Sequence, residues 1–207
     1  MPRFATTVLS WTLLLGAVTN SRAQDPNYIL ELAETVATTN SEADVQITIT
    51  NIGGSLLGLS FGLTSGSPFV DPLGATFGPA IQSLNGGAGP DFFQQGLSPL
   101  PGGVTGFYCG TVFSFLGTAP LLPGVHDAIH MHYYVDTDAP SSYELCFSSA
   151  VGTPPSAVVV VVAGVSIVPV AECASFESCC RSLDAAIPMR AARSILRIPF
   201  TCSVTCS

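Results

Sequence analysis

The stretch that decides the fold is residues 43–63, ADVQITITNIGGSLLGLSFGL. In its first half Val45, Ile47 and Ile49 fall on one side of an extended chain, and Gln46, Thr48 and Thr50 on the other. A period of two is the spacing of a strand with one face in a core and one in water. The second half alternates too, but there Leu57, Leu59, Phe61 and Leu63 are set against Gly58, Ser60 and Gly62. A strand face with so little bulk lets another layer or a ligand approach closely. The plainer reading, a twisted strand in a tight sandwich, is favoured over a ligand groove.

Working outward, the same grammar recurs. Gly, Pro, Ser and Asn punctuate the chain every eight to twelve residues or so, with short apolar alternations between them. YILELAE is a first strand, and GFYCGTVFSFLG, apolar on both faces, is a central one. In AIHMHYYV the alternation puts Ile129, Met131, Tyr133 and Val135 inward and Ala128, His130, His132 and Tyr134 outward. SYELCFSS is a further strand, whereas residues 64–103 read as loop-rich. SAVVVVVAGVSIVPV is short for a transmembrane helix, which needs about 20 residues. Its consecutive valines favour a strand buried on both faces, then a kink and a final strand. No stretch shows a capped helical period, so the expectation is an all-β sandwich or barrel.

Arg3, the apolar run FATTVLSWTLLLGAV and the small residues of SRA form the three parts of a secretory leader, with cleavage expected between Ala23 and Gln24. The expected organisation is a leader at 1–23, a sandwich at 24–172 and a divergent tail at 173–207. Secretion would place the chain in an oxidising, extracellular or cell-surface setting. All six basic residues are arginines, and Arg3, Arg22, Arg181, Arg190, Arg193 and Arg197 lie at the two ends. Of the fourteen acidic residues all but Asp184 lie between them. Such a body repels phosphate backbones and anionic lipid, which argues against nucleic-acid and membrane-surface partners.

Candidate chemistry is sparse. His126, His130 and His132 are the only histidines, and the i, i+2 spacing of His130 and His132 offers two imidazoles to zinc or copper. No third ligand is fixed by spacing, and two exposed histidines on a polar strand face is the favoured reading. DTDAP lacks the glycine and distal acid of an EF-hand loop. No G-x-S-x-G elbow is present, and a body without Lys or Arg has no basic side chain to hold an anionic substrate, so catalysis is disfavoured. Cys109 and Cys146 each lie in an expected strand; they either clip two strands together or remain buried thiols.

Three segments carry a family resemblance. ADVQITITNIGGSLLGLSFGL resembles the opening of cohesin-like domains, where a strand ending in Asn leads through a short turn to a strand of the form G-[FL]-[SQ]-F. GTVFSFLG with APLLPGVHDAIHMHYYVD is similar to that family's paired late strands around a Pro-Gly turn, and SSAVGTPPSAVVVVVAGVSIVPV to its closing hairpin. The likeness covers residues 28–170 and, more narrowly, resembles secreted cohesin-like proteins of planctomycete-type bacteria. It implies a jelly-roll-like antiparallel β-sandwich of about nine strands, no catalysis and no cofactor. It also implies a protein partner, usually a dockerin-bearing one. Related sandwiches bind polysaccharide instead, which is the alternative function.

Such proteins often end in a dockerin-like calcium segment, and the tail as written has none. Read one frame over, however, the codons from the Asp184/Ala185 junction onward permit a string opening on RGD and closing on YLF. It sets acids at positions 1, 3, 9 and 12 of a twelve-residue loop with Gly at 6, the spacing of an EF-hand-type Ca²⁺ site; position 5 departs from it. A frameshifted dockerin-like tail is therefore expected, with Ca²⁺ relevant only if the intact segment exists in the true frame.

Overall fold

The structure is a computed structural model, and it describes residues 23–179. The expected leader and the arginine-bearing tail beyond Cys179 lie outside the described residues. Strands dominate: β1 (Asp25–Leu32), β2 (Thr35–Thr38), β3 (Ser41–Asn51), β4 (Leu56–Thr64), β5 (Val70–Phe77), β6 (Phe92–Pro99), β7 (Thr105–Val112), β8 (Gly124–Val135), β9 (Ser142–Phe147), β10 (Val159–Val162), β11 (Val165–Ile167), β12 (Pro169–Ala171) and β13 (Ala174–Cys179). No helix among the described residues is long and apolar enough to cross a membrane.

Two sheets face each other. The first runs β12-β1-β3-β8-β5. In the second, β4 is the spine. One of its edges carries β7 and then β6. The other is shared by β10, along Leu56–Ser60, and β9, at Leu63 and Thr64. From β9 that sheet continues through β13 to β2. The alternation of residues 43–63 is the reason for this arrangement. Val45, Ile47 and Ile49 of β3 and Leu59, Phe61 and Leu63 of β4 are all buried between the layers, and removing such side chains from water is the main favourable term in folding.

The all-β sandwich expected from the sequence is what forms, with corrections of detail. Thirteen strands rather than about nine are present among the described residues. Two pairings, β1 with β12 and β2 with β13, are parallel. Residues 64–103 hold β5 and β6 as well as loops. β6 is an edge strand whose FFQQGLSP sequence alternates weakly because both of its faces are largely exposed. The valine run is not buried on both faces: Val160 is in the core while Val159 and Val161 are half-exposed. It ends in a hairpin rather than a kink, turning at Ala163 and Gly164, whose φ values of 49° and 79° are left-handed. The sandwich also runs past residue 172, since Ala174, Phe176 and Ser178 of β13 alternate inward against β9 and β2.

Two local devices set the geometry of β3 and β8. At the end of β3 the buried Asn51 side chain braces the turn to β4: its Nδ2 donates to the Gly54 carbonyl at 3.0 Å and its Oδ1 accepts from Gly53 N–H at 3.1 Å. On β8, Ile129 pairs with Ile47 but Asp127 with Thr48, leaving Ala128 as a bulge residue. A bulge shifts the in–out phase by one. Ala128 and Ile129 are therefore both buried, and Asp127 shares the outward face with His130.

A candidate docking face

The first sheet differs in charge from the β6-β7-β4-β10-β11 part of the second, whose outward acids, Glu144 and Glu177, are on β9 and β13. The face of the β12-β1-β3-β8-β5 sheet displays Glu31, Glu42, Asp44, Asp71, Asp127, His130 and His132. By contrast, β4, β6, β7, β10 and β11 contain no Asp, Glu, Lys, Arg or His at all.

Register builds the uncharged face as transverse rows. Phe92, Val112, Gly58 and Val161 lie side by side across β6, β7, β4 and β10. The next outward row is Gln94, Gly110, Ser60 and Val159, and the one after is Gly96, Tyr108 and Gly62. An apolar row thus adjoins a polar one, and each of the three rows contains at least one glycine. Phe92 is 45 % exposed.

The face is closed at one end by residues 148–156, which cross it as a strap. Ser148 N–H donates to the Gly62 carbonyl at 2.9 Å, and Ser156 N–H donates to that of Val151 at 2.7 Å. Val151 is fully buried because it seats on two glycines: a Cβ on Gly106 would lie 2.8 Å from its side chain, and one on Gly62 would collide with it and with the Ser148 carbonyl. So the missing bulk opposite Leu59, Phe61 and Leu63 admits another layer at Gly62, and the strap is that layer. Tyr108 lies across Gly96, where a Cβ would be 2.5 Å from its hydroxyl. Between strap, Tyr108 and the polar row is a notch of about 260 Å³.

The sequence-derived site residues fall elsewhere. His130 and His132 do lie on the outward face of β8, but each imidazole is engaged by its own carboxylate. His130 Nε2 is 2.7 Å from Asp127 Oδ1, and His132 Nδ1 is 2.5 Å from Asp44 Oδ1, with Thr76 Oγ1 at 3.1 Å from its other nitrogen. Among the described residues no group of three or more His, Cys, Asp or Glu side chains is placed to hold a metal ion. Ala23 and Gln24 are exposed, ahead of β1.

The pairing of Cys109 with Cys146 is corrected. Cys146 is bonded to Cys173, 27 positions on. The physical reason is the pleat: Cys109 pairs with the buried Phe61 and points into the core, whereas Cys146 pairs with Thr64 and points out. They are on opposite faces of one sheet. Cys109 is a buried thiol, and burial pushes its pKa up.

Sequence reasoning flagged Gly58, Ser60 and Gly62 but missed β6 and the strap. Their one legible signal was the absence of charge from residues 92–125 and 145–171.

No known family pattern and no curated protein matches the chain. Solved structures do. The chain is similar to the cohesin of a Coh-OlpC–Doc435 cohesin–dockerin complex from Clostridium thermocellum, at 9% identity and TM-score 0.58, covering 78% of this chain and 99% of that one. It is similar to CaCohA2 from Clostridium acetobutylicum, at 10% identity and TM-score 0.58, covering 74% and 91%. It is also similar to the seventh ScaB type I cohesin of Pseudobacteroides cellulosolvens, at 12% identity and TM-score 0.53, covering 81% and 98%. The fold of this chain is a cohesin-like β-sandwich.

Proposed function

We propose that this protein is a non-catalytic docking module that binds a protein partner through the outward face of β6, β7, β4 and β10. The observation that carries the reading is the charge asymmetry. The part of its sheet built from β6, β7, β4 and β10 carries no charged residue in an otherwise acidic body, the outward acids Glu144 and Glu177 of that sheet lying on β9 and β13, and the patch is edged by the exposed Phe92. Depletion of charge at the centre of a patch, with an aromatic anchor, is the composition that marks protein interfaces. A likeness to cohesins, one of them solved in a dockerin complex, supports the same reading and makes a dockerin-bearing partner the first to test. The polysaccharide alternative wants aromatic rings in a row, and these rows offer only Phe92 and Tyr108, in different rows.

The chain is exported in this reading, with its leader removed between Ala23 and Gln24. The Cys146–Cys173 disulfide supports that, since such bonds persist in oxidising compartments. Calcium enters only through a dockerin-like segment in the shifted frame of the tail.

The test is a capture experiment from the native secretome, run in calcium and then in chelator. Wild-type chain and a Phe92→Asp/Val161→Asp variant serve as paired baits, with circular dichroism and thermal unfolding establishing that both are folded. A partner held by wild type and lost by the variant supports the reading. A partner retained equally by both refutes it.

A further inference from the structure

The glycines of the docking face are there for different reasons. A Cβ on Gly58 would lie 2.8 Å from the Thr111 carbonyl, Gly62 is covered by the strap, and Gly96 by Tyr108. Each is dictated by the fold. Gly110 is not. It sits in the interior of β7 between Gln94 and Ser60, is not among the positive-φ glycines, and a Cβ added to it would meet nothing within 4 Å. Glycine weakens a strand interior, and where the fold does not require it, what gains from the missing side chain is something that approaches from outside.

Gly110 lines the notch of about 260 Å³ together with the polar residues Ser60, Gln94, Tyr108, Thr153 and Ser156. Among the described residues none of these five side chains is hydrogen-bonded to another protein group. Five residues bearing hydroxyl or carboxamide groups therefore line one recess without a protein hydrogen-bond partner for those groups. A charged visitor would be desolvated with no counter-charge on the walls. An apolar one would strand the hydroxyls. A carboxamide brings two donors and an acceptor with two lone pairs, and suits a lining that can both donate and accept.

We propose that this notch is the specificity subsite of the docking face, receiving an Asn or Gln side chain that the partner protein projects over Gly110 while its neighbours pack on Phe92 and Val161. The inference rests on the docking reading above and adds the chemistry of the recognised residue.

The test uses the ¹⁵N-labelled full chain, with propionamide as a stand-in for the side chain and propionate and glucose as comparison probes. Millimolar propionamide is expected to shift the amide signals of Gly110, Gln94 and Thr153, a weak affinity being all that so small a probe can supply. Gly110→Leu, whose Cβ meets no protein atom within 4 Å and whose remaining atoms extend into the notch, is expected to weaken that response roughly tenfold or more while the unfolding midpoint is held or raised. The inference is overturned if those signals do not move, if propionate or glucose moves them as far, or if Gly110→Leu responds like wild type. Failure here is separable from failure of the docking reading. If Phe92→Asp/Val161→Asp abolishes capture yet propionamide leaves Gly110 unmoved, the face stands and the notch falls; if capture survives that pair, the face falls whatever the probe does.

Discussion

Asn51 shows how much of this fold depends on a single polar side chain in the right place. It is fully buried at the end of β3, yet it satisfies both a donor and an acceptor of the turn that sends the chain across to β4. Gly53 and Gly54 complete the device, because the Tyr28 ring occupies the space where a Cβ on Gly53 would be and its hydroxyl accepts from Gly54 N–H at 2.8 Å. Truncating Asn51 leaves the Gly53 N–H and the Gly54 carbonyl short of their partner, so Asn51→Ala is expected to lower unfolding free energy by about 1–3 kcal/mol, measured by urea denaturation. Substitution of the exposed Gln46 on the same strand, which faces solvent, is expected to change it by less than about 0.5 kcal/mol. At this scale the sequence was largely legible. The in–out assignments of Val45, Ile47 and Ile49 follow from the period of two alone. Asp127 is the counterexample: its place beside His130 depends on the bulge at Ala128, and nothing in HDAIHMH distinguishes a bulge from continued alternation.

Among elements, those set by local pattern were readable and those set by long-range contact were not. β3, β4, β7 and β8 carry their own hydrophobic signature. β6 does not. As an edge strand it is held in place by reaching β5, where Gln95 Oε1 accepts from Ala75 N–H at 2.8 Å and Phe93 meets Phe77 with ring centroids 4.5 Å apart. Neither contact leaves a mark within FFQQG. The same holds for the strap, whose only apolar anchor, Val151, makes sense once Gly62 and Gly106 are known to lie beneath it. The disulfide is a third case, since spacing cannot say on which face of a sheet a cysteine will emerge. Its location has a consequence: Cys173 precedes β13 directly, so the bond to Cys146 ties β13 to β9 at the start of their ladder. Closing a loop of 27 positions stabilises by about 3.5 kcal/mol in the chain-entropy account. The Cys146→Ser/Cys173→Ser double variant is expected to lose stability of that order. Peptide mapping of the native, non-reduced chain is expected to recover Cys146 linked to Cys173, with the Cys109 peptide alkylated only after denaturation. Alkylation of Cys109 in the folded chain, or a linkage from Cys109 to Cys146, would contradict the structure.

At the scale of the whole molecule, charge and contact are separated in space. Between Arg22 and Arg181 there are thirteen acids, the fourteen of the chain less Asp184, and no Lys or Arg. None of the thirteen is on the strands that form the docking face. The proposed docking thus assigns long-range attraction and short-range fit to different surfaces. Under the proposed docking reading, the field of the acidic body would act on a partner's approach, whereas the contact itself would be made by neutral groups whose interactions ionic strength barely touches. For a partner with a basic periphery this predicts a particular kinetic signature. Raising salt from about 50 to about 500 mM shortens the Debye length from roughly 14 to 4 Å, so the association rate constant is expected to fall by roughly tenfold. The dissociation rate constant, governed by the Phe92 and Val161 row and the notch, is expected to change by less than about twofold. Surface plasmon resonance with the captured partner measures both. A dissociation rate that rises steeply with salt would place charged groups in the buried contact, and would move the docking site off this face and onto the Asp44, Asp127, His130 and His132 face of the opposite sheet.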